Sequence, residues 1–177
     1  MIERLVVAVT GASGAQLGRR IVEKLPPSVT PYLIVSENGE RVMKEERGRT
    51  FSNDDIAAPV ASGSFPADAM LVAPCSMNTL AKIACGIADN LVTRAAAVTI
   101  KERRTLVLAP REMPFSAIAL ENMLKLARLG VVVAPPVMGY YSGQESLEEM
   151  EDFVIGKWFD LLGIPNELYK RWRIEEA

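Results

Sequence analysis

Short apolar runs alternate along this chain with segments whose apolar residues recur at helical spacing. Residues 5–10 read as a buried strand, followed by a turn at Gly11-Ala12-Ser13-Gly14 and a helix reaching about residue 25. A second strand falls at 32–35 and a helix at 39–47. A polar, turn-rich stretch over 49–68 leads to a third strand at 69–73, then to helices over 78–84 and 90–101. The pattern continues with a strand at 105–108, a helix at 116–128 and a strand at 131–134. It closes with the loop Pro135-Pro136-Val137-Met138-Gly139 and a helix over 147–162. No internal repeat or low-complexity segment interrupts it. Such alternation predicts an α/β fold with a mainly parallel sheet covered on both faces, because a strand buried on both sides shows no polar alternation.

Sheets of this kind bind ligands beyond the carboxyl ends of their strands. The residues placed there are Gly11-Ala12-Ser13, Ser36, Pro74-Cys75-Ser76 and Pro110-Arg111-Glu112. Serines, an arginine and a glutamate thus gather at one edge.

Composition narrows the chemistry open to that edge. The chain has 177 residues, 49% of them apolar, which suits one domain. A net charge of −2 gives no drive toward nucleic acid or anionic membrane, and no apolar run approaches the ~18 residues of a membrane span. Histidine is absent, which excludes Ser-His-Asp and Cys-His catalysis and His-ligated zinc within the chain. Cys75 and Cys85 are too few for a disulfide framework or a four-cysteine metal site, so no metal is expected. With no secretory pattern at the N-terminus, a reducing cytoplasmic setting is the expectation.

The Gly11–Ser13 turn joins a strand to a helix, where small residues let backbone N–H groups approach a phosphate. The spacing Gly11, Gly14, Gly18 is not that of dinucleotide binding, and Ser36 stands where an acidic ribose ligand would be. A mononucleotide fits better than NAD, although a tight turn without a ligand explains the loop as well. Ser76 is either a helix N-cap or, with Thr79, part of an anion site. Lys101-Glu102-Arg103-Arg104 reads as a solvated helix end. Arg111 and Glu112, between Pro110 and Pro114, form either a structural ion pair or a phosphate ligand beside a proton carrier. Tyr140 and Tyr141 either cover a core edge or donate to a phosphate. Both cysteines read as small core fillers.

Several blocks in this order resemble the flavin prenyltransferase family, the UbiX/Pad1 group of the homo-oligomeric flavin-containing cysteine decarboxylase superfamily. They are Val9-Thr10-Gly11-Ala12-Ser13-Gly14-Ala15, Ala61-Ser62-Gly63-Ser64-Phe65, Ala73-Pro74-Cys75-Ser76-Met77-Asn78-Thr79-Leu80 and Asp89-Asn90-Leu91. The blocks Arg94-Ala95-Ala96, Lys101-Glu102-Arg103-Arg104, Pro110-Arg111-Glu112 and Leu120-Glu121-Asn122-Met123-Leu124 follow. The resemblance spans about residues 4–165, so 1–165 is expected to be the domain and 166–177 a C-terminal tail.

The resemblance implies a single Rossmann-like (flavodoxin-like) three-layer domain that transfers a dimethylallyl group from dimethylallyl phosphate to reduced FMN. The prenylated flavin would then serve a UbiD-type decarboxylase. By motif, Gly11, Ala12, Ser13, Ser36, Ser76, Met77, Asn78, Thr79 and Arg111 would bind FMN, with Ser13 also near the reacting ring. Glu46 would reach a neighbouring subunit's site. Lys101, Arg111, Glu112, Tyr141 and Lys157 would surround the prenyl phosphate, and Ser13, Glu46 and Glu112 are the catalytic candidates. Trimers assembling to a dodecamer are implied. Ser142 replaces a histidine, and Lys157 an arginine, of many members.

Lys157 also stands out on a helical wheel. Leu147, Met150, Val154, Trp158 and Leu161 form one stripe, and Lys157 falls between Met150 and Phe153, inside the apolar face. An anion would account for it there, as would a stem along the core with the amine reaching water. Two other activities compete: an FMN-dependent cysteine decarboxylase, whose members use a histidine this chain lacks, and a non-catalytic FMN carrier.

Overall fold

A computed structural model describes residues 2–11, 15–35 and 48–172. The strands are β1 (Arg4–Val9), β2 (Thr30–Val35), β3 (Arg49–Ser52), β4 (Ala69–Cys75), β5 (Thr105–Pro110) and β6 (Val132–Val133). The helices among these residues are α1 (Ala15–Lys24), α2 (Met77–Ala84), α3 (Leu91–Lys101), α4 (Ala117–Arg128) and α5 (Leu147–Leu162). All strand pairings are parallel, in the order β3-β2-β1-β4-β5-β6. The order reverses between β1 and β4, which makes that junction the switch point.

Alternation along each strand divides the core into two layers. Leu5, Val7, Leu33, Val35, Leu71 and Val107 meet α1 and α5 on one face. Val6, Ala8, Ile34, Met70, Val72 and Leu106 meet α2, α3 and Leu126 of α4 on the other. Gly18 lets α1 lie close on the sheet, since a Cβ there would stand 2.3 Å from Val9 Cγ2. Serine or asparagine caps fix the starts of four helices. Ser76, Asn90, Ser116 and Ser146 each accept a hydrogen bond from the N–H three residues on.

Two features were not legible in the apolar pattern. The stretch 49–68 contains β3, an edge strand whose residues are exposed or half-buried and therefore carry no apolar signature. Strands β4 and β5 each run two residues past their expected ends, through Pro74 and Pro110. Proline donates no ladder bond; here the register shifts between Val72 and Cys75, and Cys75 pairs with Pro110. The helix expected at 39–47 lies outside the described residues.

Helix α5 is fastened to α1 by charge. Arg20 Nη2 stands 2.6 Å from Asp152 Oδ1, Lys24 Nζ 2.8 Å from Asp152 Oδ2, and Arg20 Nε 2.9 Å from Glu151 Oε2. Residues 166–172, set apart above as a tail, lie against α5: Asn166 Nδ2 donates to Gly156 O at 3.3 Å, and the Tyr169 ring meets that of Phe153 at 5.1 Å.

Candidate functional site

The switch point is stitched by one hydroxyl. Thr10 Oγ1 donates to Pro74 O at 3.0 Å and accepts from Ser76 N–H at 2.8 Å, while Thr10 N–H donates to the same carbonyl at 3.2 Å. These bonds tie the end of β1 to the chain leaving β4 and set the start of α2 beside exposed Gly11. Ser76 caps that helix: its Oγ accepts from Thr79 N–H at 3.2 Å and donates to Thr79 Oγ1 at 2.9 Å. Capping is therefore the observed role of Ser76. The first-turn N–H groups of Met77 and Asn78 remain aimed out of the helix end, the arrangement that attracts a phosphate. Ala12, Ser13, Ser36 and Glu46 lie outside the described residues.

Beyond β5, Arg111 and Glu112 line a cavity of about 620 Å³ with Pro110, Met113, Pro114 and Phe115. Its far wall is Pro135, Pro136 and Val137. Glu112 Oε1 accepts from Met113 N–H at 3.1 Å. A second cavity, of about 310 Å³, shares Pro135 and Val137 with the first. Its lining includes Met138, Tyr141, Trp158, Leu161 and Lys157. Trp158 Nε1 donates to Ala134 O at 2.9 Å and so anchors the proline-rich loop to α5. Two cations, Arg111 and Lys157, thus border adjoining apolar-walled cavities at the carboxyl edge of the sheet.

The placement of Lys157 corrects the helical wheel. The buried side of α5 is made by Phe153, Val154, Ile155, Trp158, Phe159 and Leu162, whereas Leu147 and Leu161 are exposed. The true core stripe is rotated toward Ile155 and Phe159. Lys157 is exposed on the cavity side, with its ammonium 5.9 Å from the centre of the Tyr169 ring. Tyr141 packs edge-on to Phe153 at 5.8 Å and to Trp172 at 5.5 Å.

Lys101 is not brought to this edge within one chain. It ends α3 just ahead of β5, so the six-residue strand, about 20 Å long, separates it from Arg111. There it pairs with Glu102 near Gly63. Cys75 is buried, which pushes its thiol up to about 12 and leaves it a filler, whereas Cys85 is exposed at the end of α2 and is no part of the core. Sequence reading missed the stitching by Thr10, whose position directly after an apolar strand was its only signal. It also missed Asp160, Tyr169 and Arg171 beside Lys157, since polar residues near a chain end form no motif.

A parallel sheet in this order, with a capped helix start at its switch point, defines an α/β nucleotide-binding protein. The Flavoprotein family model matches residues 2–158, and the chain belongs to that family and, within it, to the flavin prenyltransferases. Flavin prenyltransferase UbiX of Helicobacter pylori is 45% identical, over 96% of this chain and 98% of that protein. A solved UbiX structure (PadA1), a complex with FMN and dimethylallyl pyrophosphate, superposes with a TM-score of 0.90 at 41% identity, covering 98% of each chain. A dodecameric FMN-dependent UbiX-like decarboxylase from Escherichia coli O157:H7 gives a TM-score of 0.89 at 40% identity, over 96% of this chain and 99% of that one. Solved structures at 18–23% identity, among them the cypemycin decarboxylase CypD and the FMN-dependent cysteine decarboxylase SpaF, share the fold alone. Among the described residues, no helix is long and apolar enough to cross a membrane.

Proposed function

We propose that this protein transfers a dimethylallyl group from dimethylallyl phosphate to N5 and C6 of reduced FMN. The product is prenylated FMN for a UbiD-type decarboxylase, and the work is done in the cytoplasm by a homo-oligomer. The observation that carries this reading is the pair of adjoining cavities bordered by Arg111 and Lys157, in a chain of the flavin prenyltransferase family.

The residues present fit FMN. The α2 start offers backbone N–H groups and the hydroxyls of Ser76 and Thr79, and Arg111 offers a two-bond fork for phosphate. Gly11, Ala12, Ser13 and Ser36 would complete that binding set with Met77 and Asn78. When bound, reduced FMN supplies the electron-rich ring that takes the allyl group. Lys157 and Arg111, with Tyr141 donating from its hydroxyl, hold the donor phosphate as its allylic C–O bond breaks and negative charge collects on it. Fixed cations do this best where water is excluded, and the walls of Val137, Met138 and Leu161 help exclude it. Glu112, steadied at Oε1 by Met113 N–H, takes up a proton at its other carboxylate oxygen. Ser13 would lie near the reacting ring. Lys101, at the opposite sheet edge, and Glu46 would each complete a neighbouring subunit's site.

The test is direct. Purified protein is mixed with reduced FMN and dimethylallyl phosphate, and in parallel with the pyrophosphate, and the flavin is weighed by mass spectrometry. A flavin heavier by one C5 unit is expected; an unchanged flavin with retained FMN binding would leave only a carrier.

A further inference from the structure

The segment after α5 is held by a single carboxylate. Asp160 accepts two parallel bonds from Arg171, Nη2 to Oδ1 at 2.8 Å and Nη1 to Oδ2 at 2.9 Å. It also accepts from Asn166 Nδ2 at 2.9 Å and from the Tyr169 hydroxyl. The Tyr169 hydroxyl is pushed up to about 12, by burial first and then by this carboxylate, so it stays a donor at neutral pH. One helical turn earlier, Gly156 leaves room for the same segment. A Cβ there would stand 2.6 Å from Tyr169 Cδ1 and 2.9 Å from Asn166 Oδ1. Glycine weakens a helix interior relative to alanine, so its place beside Lys157 has a packing reason.

What the clamp delivers is a ring. Tyr169 sits between Phe153, at 5.1 Å, and Lys157, whose ammonium lies 5.9 Å from the ring centre. Arg171 lies over the same ring at 5.1 Å, so both cations of this corner are organised by one aromatic ring. Among the described residues no carboxylate pairs with Lys157, and the charge stays available to an anion in the adjoining cavity. A lysine stem has four rotatable bonds, and holding the ammonium at the cavity mouth needs such a neighbour.

We propose that Tyr169, held by Asp160, is a positioning residue for Lys157, setting its ammonium where it receives the donor's phosphate. The inference rests on the proposed prenyl transfer for its kinetic consequence, and on the structure alone for its binding consequence.

The experiment uses the full FMN-loaded chain and two readouts. One is calorimetric titration with inorganic phosphate and pyrophosphate; the other is steady-state turnover with dimethylallyl phosphate. Tyr169→Leu, which removes the ring, is expected to weaken phosphate binding and raise the donor KM about tenfold, with kcat and FMN affinity within about twofold. Asp160→Asn should do the same to a lesser degree, and Tyr169→Phe, which keeps the ring, should recover most of the loss. In a Lys157→Ala background, Tyr169→Leu should weaken phosphate binding no further. A purely structural role would weaken it equally in both backgrounds, and that result overturns the inference. So does phosphate binding that ignores Lys157. Phosphate binding that follows Tyr169 and Lys157 in a protein that forms no prenylated flavin would sink the proposed function and leave this inference standing.

Discussion

Helices α4 and α5 cover opposite faces of one sheet, and this chain completes only the second. Their local signals match: each begins with a serine whose Oγ accepts an N–H at 3.2 Å, Ser116 for α4 and Ser146 for α5. Their burial does not. Helix α5 buries Phe153, Val154, Ile155, Trp158, Phe159 and Leu162, whereas α4 buries Leu126 alone. On α4, Ile118 is 72% exposed, Leu124 51% and, just past its end, Leu129 61%. Capping and periodicity specify that a helix forms, not what covers it. Large apolar side chains left exposed on one helix are what a second copy of the chain would bury, in keeping with the homo-oligomer proposed above.

The sharpest way to break the comparison is to empty the finished side. Phe159 is fully buried between the sheet and α5. Phe159→Ala should lower unfolding free energy by about 3–5 kcal/mol, read by urea denaturation. A loss under about 1 kcal/mol would mean that α5 is not the principal cover of that face.

On the unfinished side a comparable insult should act between chains. Leu124→Asp should leave the circular dichroism of the fold intact while lowering the sedimentation coefficient, because the charge falls where a second copy would bury leucine. An unchanged assembly would assign subunit contacts to other exposed residues such as Tyr140 or Met113.

The same contrast explains what the sequence disclosed. The strands buried on both faces, β1, β4 and β5, and the capped helices α3, α4 and α5 were legible, since burial and capping write themselves into residue type. Strand β3 was not, because Arg49, Thr50, Phe51 and Ser52 pair with β2 alone at the sheet edge. Of the site, Ser76, Arg111 and Glu112 were placed correctly at the carboxyl edge by their position after strands. For Lys157 the wheel argument failed: it weighed Leu147 and Leu161 as core, and packing left both exposed. Lys101 shows the limit of motif reading: the resemblance set it beside Arg111, and strand β5 separates the two within one chain.

A smaller effect is expected where α5 meets the site. Lys157→Ala should raise the donor KM about tenfold to a hundredfold, roughly 1.4–2.7 kcal/mol of lost phosphate binding, with FMN affinity nearly unchanged. Lys157→Arg should retain activity, since the charge is kept and a fork is gained. Normal turnover of the alanine variant at low donor concentration would reduce Lys157 to a lysine with its amine in water.

The smallest effect expected is a pH dependence that α5 has through its clamp. Partial burial alone would raise the Asp160 carboxyl, but hydrogen bonds from Arg171, Tyr169 and Asn166 outweigh it and hold the group below its ordinary value. A depressed carboxylate contributes stability that is present above its unfolded value, about 3.9, and lost as pH falls through the lower folded one. For Tyr169 the sign reverses: its hydroxyl is pushed up to about 12 by burial and by Asp160. That contribution is complete below the unfolded value of about 10 and is lost as pH rises toward 12. Denaturation midpoints of the natural chain and of Asp160→Asn should therefore differ most from about pH 5 to 9 and converge below pH 4. Taking the difference removes other carboxylates held down elsewhere, such as Asp89 beside Lys82. Tyr169→Phe should abolish the alkaline loss while leaving most of the acid loss, because Arg171 still holds the carboxylate. A gap between the natural chain and Asp160→Asn that stays constant from pH 6 to pH 3 would show that Asp160 is not held as an ion, and the clamp would then be packing alone.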